Sequence, residues 1–529
     1  MKRNRVRGQL CSLGLVVCTV GCDTVWSNVA EDCEVTLSCD HHRGLWDGTG
    51  GGVPNPECEA DPTKDASTVT DECAVFASAN AAPGGDGTKE KPYASLAEAI
   101  ANAHGKRVLA CMSGAFAESV TIEAGVEVIG GFDCDAAWMW SEAARSAIEG
   151  PPDQIALTLG EGANGAKVRS FAVRAASTTK AGGSSIGVAV ADIGAELAQV
   201  EVTASDGMDG ADGKIPIERP YTGASGSTNT ASFACIMDVS VYGGDPGVTL
   251  CEDGETRGGE GGLGGIPGMG DDNGRPGQAG TPLPDPILPD SPGLGGMGQT
   301  ETSECEQGQP GRDGASDAHG RAGRATTLAL TGITGGDGAP GITGKKGQGG
   351  GGGGGAKAGY YCGNPRSPVE ASGASGGGGG AGGCGGKGGG GGQAGGSSIG
   401  ILSLGTKLEL TEVTVAVGKA GNGGKGGLGR PGASGGSGGT AGDAGPLGGS
   451  GCDGGRGGTG GRGGLGGGGR GGHAVGIAYA AAPSAAVELK DFKKGAAGDG
   501  GQLGFGDNAG MPGVSAACWS FGGNESCGQ

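Results

Sequence analysis

The sequence predicts a mainly-β protein in which short strands stack as successive turns of a coil and long glycine-rich segments leave that coil. Three observations predict this class. Apolar and polar residues alternate in short segments between residues 119 and 204, which places one side of each strand in an interior. A strand–turn–strand unit that begins at Ser184 recurs at Ser397 and at His473. Between these copies lie two segments, about 205–396 and 418–472, that hold most of the 131 glycines of the 529-residue chain.

The stretch before the repeats reads as a strand, a turn, a helix and a second strand. "CAVFAS" is followed by a Gly-Asp-Gly turn, and Ser95 with Glu98 forms a capping box at the start of an amphipathic helix. Gly105 ends the helix, and "RVLACMSG" follows as a strand. Over residues 73–134 this order resembles the N-terminal cap of right-handed parallel β-helix proteins of the pectate-lyase-like class. The resemblance implies a right-handed parallel β-helix whose N-terminal capping helix covers the open end of the coil, and it implies nothing about catalysis.

The three repeat copies are predicted to be neighbouring turns of one coil. A lone turn cannot bury its apolar face, so separate domains joined by strings are the poorer alternative. The glycine-rich segments would then loop out of the coil as insertions.

Glycine placement within the insertions has a period of three. Every third residue is Gly from 442 to 472 and again from 332 to 350. This period matches a helix with three residues per turn, and the Gly-Gly-X triplets disfavour collagen, which needs abundant Pro. We therefore expect polyglycine-II-like helices packed side by side. A flexible linker is the alternative, and the proline-rich stretch 281–293 is the part predicted to be mobile.

The N-terminus predicts export. Four basic residues precede an apolar run over residues 10–21, which is too short to span a membrane permanently. The run ends in Thr19-Val20-Gly21-Cys22, which resembles a bacterial lipobox with Thr where Leu is usual. The sequence thus predicts a signal peptide over 1–21 and lipidation of Cys22, with a plain secretory signal as the alternative.

The cysteines support an oxidising compartment. Of 17 Cys, Cys11 and Cys18 leave with the signal and Cys22 takes the lipid. The remaining 14 are even in number and lack the close pairs of a zinc site, so we expect disulfides whose partners the sequence does not assign. The candidates are Cys33, Cys39, Cys58, Cys73, Cys111, Cys134, Cys235, Cys251, Cys305, Cys362, Cys384, Cys452, Cys518 and Cys527.

Net charge limits the partners. Removing the four basic signal residues from a chain of charge −20 leaves about −24, a surface that repels phosphate backbones. We therefore expect no nucleic-acid binding, and the absence of a GxxxxGK[ST] motif gives no support to nucleotide binding. The expected partners are the membrane, through the lipid anchor, and surface polysaccharide or other envelope proteins.

Candidate catalytic and metal-binding residues are sparse. Arg169, Arg174 and Asp192 could serve a polysaccharide lyase, but they are spread singly and are better explained as solvated charges on strands. The five histidines, at positions 41, 42, 104, 319 and 473, have no catalytic motif around them, and "CDHH" at 39–42 lacks a second ligand pair. Carboxylates in 205–213 and 270–274 could bind calcium, although they match no defined loop. We predict no catalytic residue, no metal ligand and no cofactor, with calcium as the alternative.

Several pieces of the sequence together carry a resemblance that spans nearly the whole chain. They are the lipobox region, "GGDGTKEKP", "ACMSGAFAESVTIEAGVEVIGGFDC", the "SSIG" units and "GGCGGKGGGGG". This combination resembles a group of myxobacterial glycine-rich surface lipoproteins, often labelled PGRS-family for their likeness to mycobacterial glycine-rich surface proteins. The resemblance implies a cell-surface lipoprotein. We expect a location in the bacterial cell envelope, most simply the outer membrane, and, since no catalytic constellation is present, a structural or adhesive role without catalysis. The alternative is a carbohydrate-active β-helix enzyme, a lyase or a hydrolase, or a polysaccharide-binding protein.

The predicted organisation has seven parts. They are a signal peptide (1–21), a lipidated tether with a small Cys-containing segment (22–72), the cap and first turns of the coil (73–204), a glycine-rich insertion with the proline-rich part (205–396), one coil turn (397–417), the period-three insertion (418–472), and the last turn with the C-terminal tail (473–529).

Overall fold

The computed structural model describes residues 58–236, 241–268, 272–283, 288–445, 447–483, 488–503 and 506–527. Cys22, Cys33, Cys39, His41 and His42 lie outside these residues. Within them the protein is mainly β, with three large sheets and three separate hairpins. Strands are numbered here along the chain, and the sheets are called A, B and C.

Each large sheet is built from parallel strands taken from successive passes of the chain. Sheet A holds β1 (Ala74–Ala77), β2 (Arg107–Cys111), β5 (Glu127–Asp133), β9 (Lys167–Arg169), β12 (Ala195–Ala198) and β21 (Leu408–Thr411), with β6 (Met139–Trp140) antiparallel to β5. Sheet B holds β3 (Ala115–Phe116), β7 (Ser146–Gly150), β10 (Phe171–Ala175), β13 (Glu201–Ala204), β22 (Thr414–Val417) and β24 (Asp491–Lys493). Sheet C holds β4 (Val120–Ile122), β8 (Leu157–Leu159), β11 (Ser185–Val190), β20 (Ser398–Ser403), β23 (Ala474–Tyr479) and β25 (Ser515–Ser520).

From β2 to β22 the chain visits sheets A, B and C in fixed rotation. The three repeat copies are neighbours in sheet C, since Ile186 of β11 pairs with Ile399 of β20, and Ile399 pairs with Val475 of β23. The prediction that the copies stack as adjacent turns is therefore confirmed. The insertions leave between β13 and β20 and between β22 and β23 without breaking the stack.

The interior between the sheets is filled by ladders of buried apolar residues. In sheet B, Ile148, Val173, Val202 and Val415 occupy one register position in four consecutive strands, and each is at most 2% exposed. Burying each such side chain contributes about 1.5–3 kcal/mol. Glycine in the repeated "SSIG" unit makes room for this ladder, because a Cβ on Gly187 would lie 2.3 Å from Cγ1 of Val202.

The cap of the coil contains the one α-helix of the described residues, α1 (Leu96–Ala101). Ser95 caps it as predicted, with its hydroxyl oxygen accepting the N–H of Glu98 at 3.1 Å. The carboxylate that reaches the helix N-terminus belongs to Glu118, which accepts the N–H of Leu96 at 2.6 Å. The capping-box partner predicted at Glu98 is thus replaced by a residue from the strand region that follows. No helix in the described ranges is long and apolar enough to cross a bilayer.

The glycine-rich insertions are ordered, and their segments lie side by side with hydrogen bonds at every third residue. The 335–358 segment runs antiparallel to the 372–396 segment, with N–H groups of Gly344, Gly347 and Gly350 donating to Gly386, Gly383 and Gly380 at 2.9 Å. The 372–396 segment in turn donates to the 451–472 segment at the same three-residue interval. This regular pairing distinguishes the insertions from a flexible linker. We call the packed segments the glycine bundle.

The longest glycine run lies where the bundle is most crowded. A Cβ on Gly349, Gly352 or Gly355 would meet a carbonyl oxygen of the 257–265 segment at 2.1 Å or less. One on Gly350 or Gly353 would meet the 451–472 segment at 2.2 Å or less. Because neighbours press on every side, no side chain fits from 349 to 355.

Side chains complete the backbone hydrogen bonding at the bundle surface. Three aspartates spaced by three residues each accept an N–H from the 418–442 segment at 2.6–2.7 Å. Asp313 and His319 do the same for the 451–472 segment. An N–H at the rim lacks a neighbouring segment, and a short acceptor side chain satisfies it as at a helix N-cap. The aspartate pairs are Asp206 with Lys419, Asp209 with Asn422, and Asp212 with Lys425.

Six disulfides join the cysteines of the described residues, so pairing is confirmed for twelve of the fourteen candidates. Three tie distant parts of the bundle, and three lie near the ends of the coil. The pairs are Cys58–Cys73, Cys111–Cys134, Cys235–Cys362, Cys251–Cys384, Cys305–Cys452 and Cys518–Cys527.

The first glycine-rich insertion also contains three antiparallel hairpins. They are β14 (Val248–Cys251) with β15 (Gly254–Arg257), β16 (Thr326–Ala329) with β17 (Gly332–Gly335), and β18 (Gly359–Asn364) with β19 (Ser367–Ala371). Short 3₁₀ turns occur at Ala66–Thr68 and Gly506–Asn508. Of the proline-rich stretch predicted to be mobile, Thr281 and Gly293 are both hydrogen-bonded into the bundle, and 284–287 lie outside the described residues.

Candidate binding cleft in the glycine bundle

The 258–265 segment lies between the 335–358 and 372–396 segments and bonds to both. Gly259 donates its N–H to the carbonyl of Gly350 at 2.8 Å and accepts the N–H of Gly379 at 2.8 Å. Gly262 repeats this arrangement one turn away with Gly353 and Gly376. Gly259 and Gly262 therefore each pair with an N–H of the 372–396 segment and, at the same time, with a C=O of the 335–358 segment.

Three residues further along both flanking segments, towards the coil, the Thr256 hydroxyl takes the place that Gly259 and Gly262 have in the other pairs. Its Oγ1 accepts the N–H of Gly382 at 3.0 Å and lies 3.0 Å from the carbonyl oxygen of Gly347, to which it donates. Thr256 is fully buried in β15. A single hydroxyl thus satisfies the same donor–acceptor pair that a glycine satisfies elsewhere.

The next N–H and C=O pair, another three residues along the two flanking segments, has no such bridging group in the described part of the chain. Within the described residues, the N–H of Gly385 and the carbonyl of Gly344 have no hydrogen-bond partner. The hypothetical Cβ atoms of Gly382 and Gly385 lie 2.0 and 1.7 Å from the carbonyl oxygens of Gly347 and Gly344, so the two pairs have similar geometry. Both open groups line a cleft of about 710 Å³, within the usual size of ligand sites.

Two walls of the cleft are fixed to Cys384. The carbonyl of Tyr221 accepts the N–H of Cys384 at 3.0 Å. Leu250 precedes Cys251, which forms the disulfide with Cys384. The side chains of Tyr221 and Leu250 are 74% and 73% exposed, and that of Ile342 is 51% exposed. Rigid attachment thus holds apolar side chains open to solvent beside a polar floor.

Charged side chains at the rim pair with one another. Lys387 forms a very short ion pair with Glu218 and a second with Glu252 at 3.1 Å. The hydrogen bonds that Lys387 donates to Glu218 and then to Glu252 raise the pKa of Lys387, and the Lys387 ammonium lowers the pKa of Glu218. The six charged residues that line the cleft comprise three acids and three bases, Glu218, Glu252, Asp253, Arg219, Lys345 and Lys387. Their formal charges cancel.

The residues considered for a lyase site do not come together. Arg169 lies in β9 of sheet A, Arg174 lies in β10 of sheet B, and Asp192 follows β11 of sheet C. Arg169 is held by two carboxylates, Asp61 at 3.2 Å and Glu127 at 3.4 Å. Arg174 forms an exposed pair with Glu149 at 3.2 Å. These arginines therefore serve ion pairs on separate faces of the coil.

The described histidines have structural roles or lie at the surface. His473 is buried where the bundle meets the coil, with Nδ1 accepting the N–H of Val514 at 3.1 Å and Nε2 lying 2.9 Å from the Thr326 hydroxyl. Burial first, and the charge of Arg470 second, lower its pKa to about 3. His104 is exposed after α1.

The acidic stretch 205–213 considered for calcium instead supplies the aspartate acceptors described above. The stretch 270–274 falls partly outside the described residues. Among the residues that the structure describes, no group of three or more His, Cys, Asp or Glu is close enough to hold a metal ion.

Sequence reasoning did not find the cleft. A signal was nevertheless present, because the glycine period breaks between Gly213 and Gly223 at "KIPIERPYT". In this interruption Ile217 is 87% exposed and Tyr221 is 74% exposed. Exposed apolar side chains grouped in one short interruption mark a candidate interaction surface.

Comparisons with protein-family models, with curated proteins and with solved structures find no match to this chain.

Proposed function

We propose that this protein is an exported, lipid-anchored cell-surface binding protein without catalytic activity. In this proposal a coil of parallel strands carries the glycine bundle, and the bundle presents its cleft to a ligand outside the cell. The observation that carries the proposal is the cleft itself, in which walls attached to Cys384 by a disulfide and by a backbone hydrogen bond hold apolar side chains exposed beside open backbone groups.

We infer that the coil is a right-handed parallel β-helix. Successive strands of each sheet are parallel and are joined through the other two sheets. Connections between parallel strands of one sheet are right-handed in nearly all proteins, and the resemblance of the cap to pectate-lyase-like proteins supports the same hand.

We infer further that the bundle is of the polyglycine-II type. Its hydrogen bonds recur every third residue, as expected of a helix with three residues per turn. The 349–355 run also has neighbours in the 257–265, 294–299, 372–396 and 451–472 segments, which fits the dense side-by-side packing of such helices.

The compartment follows from the disulfides. Six Cys pairs indicate an oxidising, extracytoplasmic location. Anchoring through Cys22 in the bacterial envelope, most simply the outer membrane, is the finer proposal. It predicts that metabolic palmitate labelling of the full chain is lost in Cys22→Ala, whereas Cys18→Ala stays labelled. Labelling that persists in Cys22→Ala would contradict the anchor.

A non-catalytic role is tested by incubating the purified full chain with polygalacturonate and alginate, with and without calcium. We expect no release of unsaturated or reducing ends, since Arg169, Arg174 and Asp192 lie on different faces of the coil. Depolymerisation that is lost in Arg169→Gln would instead establish the enzyme alternative.

Binding itself is tested by adding labelled full-length protein to intact bacterial cells and isolated envelope polysaccharide. We expect saturable binding that falls in Tyr221→Ala. Tyr242→Ala is the matched control, because Tyr242 is similarly exposed at 66% but does not line the cleft. Equal binding by both variants and the unmodified protein would contradict a role for the cleft.

A further inference from the structure

We propose that the cleft binds a neutral glycan, with a sugar hydroxyl bridging the N–H of Gly385 and the carbonyl of Gly344. This inference rests on the proposed binding function and names its ligand class. It comes from three features of the cleft, namely its open backbone pair, its balanced charges and its exposed aromatic side chain.

The open backbone pair indicates a hydroxyl group. One step away in the same register, the Thr256 hydroxyl bridges Gly382 and Gly347 with two contacts of 3.0 Å. A hydroxyl is a donor and an acceptor at one atom, so it can satisfy both groups at once. A carboxylate or phosphate oxygen could accept from Gly385 but could not donate to Gly344.

The charges of the cleft favour an uncharged ligand. Three acidic and three basic side chains line it, and Lys387 already bonds to Glu218 and Glu252. The formal charges of the lining sum to zero, so the cleft offers no net positive charge to attract a polyanion. Acidic polysaccharides are therefore the poorer fit.

The aromatic wall suits a sugar ring. Tyr221 presents a largely exposed ring directly beside the polar floor, with Leu250 and Ile342 also lining the cleft. A pyranose has an apolar C–H face and hydroxyls at its edge, so it can cover the ring and reach the backbone together. A ligand with only apolar surface would leave the Gly385 N–H desolvated and unpaired.

The open pairs continue beyond the cleft, which favours an oligosaccharide over a single sugar. Within the described residues Gly388 with Gly341 and Gly391 with Gly338 repeat the unpaired N–H and C=O groups. Steps of three residues are about 9.3 Å long in this type of helix. The row ends where Asp337 accepts the N–H of Ala394 at 2.7 Å. A chain of several sugars can therefore follow the row.

The experiment is a binding titration of the full chain with defined oligosaccharides. The neutral probes are maltohexaose, cellohexaose, laminarihexaose, xylohexaose and chitohexaose, and the acidic probes are polygalacturonate and alginate oligomers. A peptide with the sequence of residues 281–293 tests whether the cleft accepts a protein segment instead. We expect binding of at least one neutral probe, with an affinity that is unchanged between low and high salt because no charge is neutralised.

Variants and amide exchange locate the site. Tyr221→Ala is expected to weaken binding of the neutral probe by about tenfold or more, and Tyr221→Phe to retain it, since the ring supplies the contact. Tyr242→Ala should bind like the unmodified chain. Hydrogen exchange at the Gly385 amide should slow at saturating probe.

Several results would overturn the inference. They are binding of acidic probes alone, binding of the peptide alone, equal losses in Tyr221→Ala and Tyr242→Ala, or no change at the Gly385 amide on saturation. Failure of every neutral probe while labelled protein still binds cells through Tyr221 would reject the glycan and leave the proposed function standing. If no neutral probe binds and labelled protein also fails to bind cells through Tyr221, both the glycan ligand and the proposed binding function are rejected.

Discussion

Buried polar side chains affect how the stability of this protein changes with pH and with substitution. His473 is 1% exposed and packs edge-on against Phe521 with ring centroids 4.8 Å apart. Since Nδ1 accepts the Val514 N–H, the neutral ring must donate from Nε2 to Thr326. Protonation would put a second donor against the Val514 amide, which agrees with a pKa lowered to about 3.

This arrangement predicts that stability falls in mild acid. The folded protein keeps His473 neutral down to about pH 3, whereas the unfolded chain takes up the proton near its ordinary pKa of about 6.5. The free energy of unfolding should therefore drop as pH falls from 6.5, by about 2 kcal/mol at pH 5. Urea unfolding at several pH values should show a flatter profile for His473→Gln. Exposed His104→Asn is the control, and an unchanged slope in His473→Gln would contradict the assignment.

Tyr479 is a second buried side chain whose polar group affects stability. Its ring is fully buried in the coil, burial raises the pKa of its phenol to about 12, and the hydroxyl has no hydrogen-bond partner within the described residues. Tyr479→Phe should be neutral or stabilise by about 1 kcal/mol, because it removes an unsatisfied polar group. Tyr479→Ala should cost about 3–5 kcal/mol through the cavity it leaves. A large loss in Tyr479→Phe, measured by chemical denaturation, would mean that the hydroxyl is paired.

At the scale of elements, the bundle depends on close backbone contact and has few apolar side chains. A Cβ on Gly352 would lie 1.9 Å from the carbonyl oxygen of Glu260, and the Gly352 backbone is hydrogen-bonded to Gln278 and Gly296 on other sides. Gly352→Ala is therefore predicted to lower stability by about 3 kcal/mol or more. Gly194→Ala is the matched control, since its nearest neighbour is the Asn164 side chain at 3.5 Å. Equal melting temperatures for the two variants would contradict the packing.

The coil could be predicted from the sequence to a greater degree than the cleft. Alternating residues and the repeated "SSIG" unit predict stacked strands because inward apolar positions recur at a period of two. The bundle was predictable from its period of three. The cleft could not be predicted, because it forms where the 258–265 segment no longer covers the 372–396 segment, beyond Gly382. No local sequence pattern indicates which distant segments lie next to each other. The partners of Cys384 and Cys305 stayed open for the same reason.

At the scale of the whole molecule, three disulfides hold the bundle together across long stretches of chain. Their partners are 127, 133 and 147 residues apart, and closing loops of this size stabilises by about 4–5 kcal/mol each in the chain-entropy account. Replacing Cys251 and Cys384 together by Ser should lower the melting temperature and also weaken ligand binding, because the wall at Leu250 loses its attachment. Replacing Cys518 and Cys527 should leave binding intact. Equal effects of the two pairs on binding would contradict this role.

The glycine-rich insertions form a hydrogen-bonded bundle, and a row of open backbone groups lies beside the cleft. Residue-resolved hydrogen exchange of the full chain distinguishes this bundle from a flexible linker. We expect slow exchange at Gly350, Gly353 and Gly380, whose N–H groups are bonded within the bundle. We expect fast exchange at Gly385, Gly388 and Gly391, whose N–H groups are open. Uniformly fast exchange across 335–396 would contradict it.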